Sequence, residues 1–207
     1  MDLAFLLKGV VIGFSIAAPV GPIGVLCIRR TLTSGRAYGF VSGLGAATAD
    51  ATYGAVAGLG LTFISGLLIG GQFWLRLVGG LFLIWLGVRT FQALPIGTSA
   101  SGSAVGLARA YFSTLLLTLT NPLTILSFTL VFAGLGLASR APDYGSVVLL
   151  MAGVFVGSAL WWLLLAAGVG MLRERMRAEG LRWVNRVSGT VIAGFGVIAL
   201  VSAAMGG

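Results

Sequence analysis

The sequence has no histidine, a single cysteine and very little charge: 13 lysines and arginines and 5 acids among 207 residues. With Cys27 alone, no intramolecular disulfide can form, and a thiol relay, which passes electrons between cysteines, is excluded. Without histidine, Cys/His metal clusters are excluded too, and no metal site is expected. Nothing supplies paired acids or a nucleophile with its base, so the chain is not expected to be an enzyme or to carry a cofactor. The charge deficit says most. A soluble domain is about 25% charged and about 45–50% apolar, whereas this chain is 9% charged and 58% apolar. So few charges cannot cover a water-exposed surface, and the expected class is an all-α integral membrane protein.

What is present follows the same logic. Residues 9–28, 51–75, 110–139, 144–172 and 187–207 carry no charged side chain, and a membrane-spanning helix needs about 20 residues. Apolar runs read against charges and turn formers predict six spans, near 3–28, 37–63, 73–91, 110–133, 145–172 and 186–204, with five the competing count because Arg76 and Arg89 intrude on the third. The Lys8 charge ahead of an apolar stretch mimics a signal peptide, but the stretch continues through Pro19 and Pro22 to Ile28, so the first helix is expected to be retained.

Net charge is +8, yet most of the cations lie between the spans and are not interleaved with aromatics, which excludes nucleic acid as the expected partner. Alternate connections are arginine-rich: Arg29, Arg30 and Arg36; Arg89 and Arg109; and Arg173, Arg175, Arg177, Arg182 and Arg186. The positive-inside rule makes these cytoplasmic and puts both termini outside, in the cytoplasmic membrane. The segment 92–108, rich in Gly and Ser and containing Pro95, reads as a linker within one transmembrane domain, 1–207. It leaves three spans on each side, 1–91 and 109–207. Two related halves with an odd number of spans must be inserted in opposite senses, the inverted-repeat plan of secondary transporters.

The first and fourth spans are interrupted at corresponding places. In the first, Pro19, Gly21, Pro22 and Gly24 remove donors and free the chain; in the fourth, Asn121-Pro122 does so near mid-span. A lone proline kink is ordinary in a membrane helix, but matched breaks point to a midplane substrate site. The amides beyond Pro22 and Pro122 suit a carboxylate, and freed carbonyls and Asn121 suit an ammonium or cation. Asp50 lies midway along the second span, the only acid within any span. An ionised carboxyl there is costly, which makes it a candidate proton carrier or counter-charge, or else a group paired with Arg or hydrogen-bonded to a neighbouring helix. Gly39, Gly43, Ala47 and Ala51 form a small-residue stripe for helix packing, with Gly153 and Gly157 a shorter counterpart in span five. Trp161 and Trp162, which follow, are expected to pack against lipid or core, the alternative being a role lining the pathway.

At these residues the chain resembles the LysE/RhtB family of amino-acid exporters. The matching elements are Pro19-Val20-Gly21-Pro22, Gly35-Arg36-Ala37-Tyr38-Gly39-Phe40, the stretch from Gly43 to Asp50, and Asn121-Pro122. The resemblance implies efflux of an amino acid or close analogue, driven by an ion gradient, with H+ as the expected coupling ion. It carries functional roles to Pro19, Gly21, Pro22, Asp50, Asn121 and Pro122. Ile23 and Leu123 stand where that family commonly has polar or small residues, which makes the site less polar. The expected partners are an amino-acid substrate, the lipid bilayer and further copies of the chain. The competing readings are a divalent-cation exporter, which would want more ligands than one acid, and a structural subunit of a membrane complex.

Overall fold

The computed structural model describes residues 3–19, 21–58, 72–93, 104–121, 124–125, 127–128, 144–173 and 178–205. Every regular element among them is helical: α1 (Leu3–Ala17), α2 (Pro22–Ser34), α3 (Arg36–Gly58), α4 (Gln72–Phe91), α5 (Ala104–Leu119), α6 (Tyr144–Arg173) and α7 (Ala178–Met205).

The expected first span is two helices. The ladder of α1 ends with Ala18 N–H on Phe14 O, and α2 restarts at Pro22, whose missing donor costs nothing at a first helical position. The Arg-bearing stretch after residue 28, expected to be a connection, instead continues α2 to Ser34. Only Gly35 separates α2 from α3. Its φ of 109° lies in a region that favours glycine, and its N–H closes onto Arg30 O and Thr31 O. At the second break α5 ends at Leu119, and Asn121 O accepts from Thr124 and Ile125, as Gly21 O accepts from Val25. Pro122, the other half of that expected break, lies outside the described residues, as does Leu123. Helix α5 begins at Ala104, inside the expected linker, and α7 begins eight residues before the expected sixth span.

By length and composition α6 and residues Glu179–Met205 of α7 can each cross a membrane, and α1 with α2 qualifies as a pair bent by 80°. Helix α3 is 23 residues long but less apolar than α6. The cause is a composition of Gly, Ala, Ser and Thr around Asp50, which suits its position: α3 is wrapped by α5 and α6 and buries Ser42, Ala46, Ala47, Ala49, Asp50 and Tyr53. A helix surrounded by protein needs small residues for close approach more than it needs bulk.

Two glycine seams tie the remaining helices. Gly9 and Gly13 of α1 lie backbone to backbone on Leu150, Gly153 and Val154 of α6, and Gly157 of α6 lies on Val10 and Phe14 of α1. Gly80 and Gly87 of α4 meet Gly196 and Gly189 of α7 in antiparallel order. Thus Gly153 and Gly157 receive α1, whereas in the α3 stripe Gly43 receives the Trp162 side chain and Gly39 receives Thr31. Outside these seams runs an apolar belt, including Leu7, Val11, Trp74, Leu81, Trp85, Leu164 and Ile198, exposed as a lipid-facing surface would be.

The seam predicts a position-specific cost. Gly157→Val puts a side chain into the Val10 carbonyl and the Phe14 amide, and is expected to destabilise by about 1–3 kcal/mol. Gly168→Val, where a Cβ meets nothing within 4 Å, is the control. Thermal unfolding in detergent measures both, and equal melting temperatures would refute the seam.

Candidate functional site

Each break leaves backbone groups without helical partners, and in hydrocarbon these must be met by protein or by a polar cavity. The two breaks share such a cavity. A space of about 190 Å³ is lined by Pro19, Gly21, Pro22 and Gly24 from the first break and by Thr118, Asn121, Thr124 and Ser127 around the second. Asp50 of α3 forms part of the wall, with Ile16, Ile23, Trp162 and Phe195 as apolar faces. Six sequence-predicted residues, Pro19, Gly21, Pro22, Gly24, Asp50 and Asn121, therefore converge from three helices. Pro122 lies outside the described residues. The four packing glycines stay apart from the cavity, at helix crossings.

Asp50 is 3% exposed. Its partner is a hydroxyl rather than an arginine: Ser158 of α6, itself fully buried, donates to Asp50 Oδ2 at 2.7 Å. Ser158 Oγ in turn accepts from Trp162 Nε1 at 3.1 Å. The proton order of this relay is fixed because the indole can only donate. Asp50 Oδ1 has no hydrogen-bond partner among the described residues, and the residue borders the cavity. A carboxyl with one oxygen held and the other free presents an acceptor to a ligand.

Around the second break the polar groups are arranged by the break itself. Asn121 Nδ2 donates to Thr124 Oγ1 at 3.0 Å, across the turn where helical bonding restarts. Tyr53 of α3 donates to Leu119 O, one of the carbonyls that the end of α5 leaves over. At the first break Gly21 caps α2 without a side-chain bond. The first-turn amides of Ile23 and Gly24, which have no intrahelical acceptor by helix geometry, therefore lie in the cavity wall. The cavity thus offers one carboxyl, one helix start with positive dipole character, several hydroxyls and two aromatic faces.

The sequence did not single out Ser158, Thr118, Thr124, Ser127 or Phe195, and it favoured packing for Trp162 over a role lining the pathway. Trp162 does pack, against Gly43, but it also borders the cavity and anchors the Asp50 relay. One signal was available. Ser158 and Trp162 are four residues apart and share a face of α6.

Comparison with known proteins gives a consistent set. The family model described as LysE type translocator matches residues 14–203. "Putative amino acid efflux protein YcgF" of Bacillus subtilis (strain 168) is 29% identical over 195 residues, covering 92% of each chain. An uncharacterized membrane protein of Escherichia coli (strain K12), YahN, is 30% identical over 181 residues, covering 84% of this chain and 77% of the other. An uncharacterized membrane protein of Synechocystis, slr1627, is 25% identical over 199 residues, covering 90% and 91%. No solved structure matches the chain.

The relay makes Ser158 its most sensitive member. Ser158→Ala strips Asp50 Oδ2 and Trp162 Nε1 of their partner at once, with an expected cost of about 1–3 kcal/mol. Trp162→His or Trp162→Phe keeps the Ser158–Asp50 bond. Melting temperatures in detergent test the relay, and an unchanged value for Ser158→Ala would contradict it.

Proposed function

The chain belongs to the LysE type translocator family, whose model spans nearly all of it, and so is a membrane transporter of a small molecule; we propose that it exports an amino acid or close analogue from the cytoplasm by alternating access, coupled to protons. The observation that carries this reading is the cavity shared by both helix breaks and Asp50. A zwitterion suits it. The ammonium meets Asp50 Oδ1, and the carboxylate meets the first-turn amides of α2, where the helix dipole favours an anion. Trp162, Phe195, Ile16 and Ile23 receive the side chain.

One acid allows a simple exchange. On the cytoplasmic side the ammonium displaces a proton from Asp50; on the outer side the amino acid leaves and a proton returns. A buried carboxyl tolerates neither vacancy for long, because ionised and unpaired it is costly in the membrane interior. Binding of substrate and proton is thereby mutually exclusive, as antiport requires.

In this reading the whole chain is one transmembrane domain of six spans. Its two inverted repeats, 1–91 and 109–207, flank the linker 92–108, and spans one and four are the broken ones. The helix pairing supports it. Exchange of the halves turns the α1–α6 seam into the α5–α3 seam, and maps α3–α6 and α4–α7 onto themselves, and all four pairs are in contact. Both exchanged seams are glycine-mediated, at Gly153 and Gly157 in one and at Gly45 against Tyr111 O in the other. The arginine-rich ends face the cytoplasm, with both termini outside.

Proteoliposomes loaded with a panel of amino acids test the proposal. Wild-type protein is expected to release at least one faster than empty vesicles, and faster still with an opposing proton gradient. Asp50→Asn is expected to lower that rate at least about tenfold, the equivalent of about 1.4 kcal/mol. Release no faster than from empty vesicles across the panel, or full activity in Asp50→Asn, would overturn it.

A further inference from the structure

Arg30 is a second buried-charge arrangement, one that the cavity does not use. It lies two turns along α2 from the cavity wall, half-buried, with its guanidinium inserted between three helices. Nη1 donates to Ser42 Oγ of α3 at 2.8 Å and, on α5, to Thr114 Oγ1 at 2.8 Å and Ala110 O at 2.9 Å. Nη2 donates to Ser113 Oγ at 2.8 Å. Its charged surroundings are like charges, Arg29 and Arg109, and no carboxylate among the described residues pairs with it. The positive-inside rule gives Arg30 only an orienting role, yet a topology signal needs no four-bond socket.

The socket is built in advance. Ser42 donates its own proton to Tyr38 O, Thr114 to Ala110 O and Ser113 to Ala110 O. Each hydroxyl is therefore satisfied on its own helix and turns a lone pair to the guanidinium. If Arg30 withdraws, the hydroxyls keep a partner and the guanidinium is hydrated. A buried ion pair would instead leave an uncompensated charge on opening.

The seam it spans is also distinctive. Helices α3 and α5 are fixed to each other by Gly45 against Tyr111 O, by Thr48 with the Tyr111 hydroxyl at 2.8 Å, and by Tyr53 on Leu119 O. By contrast α2 packs on α3, α6 and α7 but hardly touches α5. Between the cavity and Arg30 the α2 face is closed by Leu26 and Cys27, buried with Leu117 of α5. A thin apolar plug sits there, pinned from beyond by one polar latch.

We propose that Arg30 is the latch of the cytoplasmic gate: its bonds to Ala110, Ser113 and Thr114 of α5 and to Ser42 of α3 hold α2 against the α3–α5 pair, and their release opens the cavity to the cytoplasm. The assignment rests on the alternating-access reading above, but its test requires no substrate. Cys27 is the only cysteine of the chain, fully buried, and one turn nearer the cavity than Arg30. It reports opening without an introduced probe.

Full-length protein in proteoliposomes is treated with a charged, membrane-impermeant maleimide added to one side at a time, and the mass shift at Cys27 is followed. Wild-type protein is expected to label slowly. Arg30→Gln, and separately Thr114→Val combined with Ser113→Ala, is expected to label at least about tenfold faster, the scale of a lost charge-assisted hydrogen bond. The increase is expected from the arginine-rich side alone, with Arg30→Lys in between because an ammonium cannot fill the planar fork. Wild-type labelling rates in both latch variants, with the protein monodisperse on gel filtration, would overturn the proposal. So would equal acceleration from both sides, which reports a loosened fold rather than a gate. If Arg30→Gln does not fold, the acceptor variant decides alone. A responsive Cys27 with no amino-acid release leaves the latch standing and removes only the substrate reading.

Discussion

A polar atom placed in hydrocarbon must find its partner inside the protein, and this chain depends on that constraint throughout. Two broken helices and one carboxyl are too expensive to leave separate. Brought together, they answer one another: the amides at the start of α2, the turn at Asn121 and Asp50 all border a single cavity. Gathering them requires a helix that can be approached from several sides. Helix α3 meets that need with small residues, accepting α5 at Gly45 and the Trp162 ring at Gly43 while carrying Asp50 between them. Its modest apolarity follows from its central place.

The parts of this arrangement that are local in the chain could be read in the sequence. Prolines at 19 and 22 and an Asn-Pro pair interrupt helices wherever they fall, so the first break at residues 18–21 and the end of α5 at Leu119 were foreseeable. Asp50 stood out because it is isolated among uncharged residues. What was not legible depends on contacts between residues far apart. Ser158 is one of many serines until α6 is laid against α3, 108 residues away, and its hydroxyl meets Asp50. The seam of Gly9 and Gly13 with Gly153 and Gly157 was invisible for the same reason, since half of it lies in the first helix and half in the sixth. Arg29 and Arg30 misled differently. Charge at the end of an apolar run reads as a connection, yet both are helical, and Arg29 Nε reaches Asn185 Oδ1 at 2.9 Å.

The helix contacts divide by chemistry. Glycine seams bring backbones together over several turns, and their many dispersion contacts are lost together when the helices separate. Such seams join α1 to α6 and α4 to α7 and suit surfaces that move as units. The α2–α5 contact has the opposite character, with little packing and three hydrogen bonds from one guanidinium, which bonds α3 with a fourth. Hydrogen bonds of this kind can be exchanged for water at small net free energy when water can reach them, whereas packing has no aqueous substitute.

That difference bears on how a fold with so little charge can move at all. A transporter must be stable in two arrangements separated by a few kcal/mol, and a core closed everywhere by packing would resist the second. Here the strongly packed seams flank the cavity, and the weakly packed one lies on the path from it toward the arginine-rich end of α2. Scarcity of charge is then part of the design. Among the described residues no carboxylate enters the socket of Arg30 and no cation pairs with Asp50, so neither residue is tied up in an ion pair. Were these two residues paired with each other, both sites would be satisfied and neither could respond.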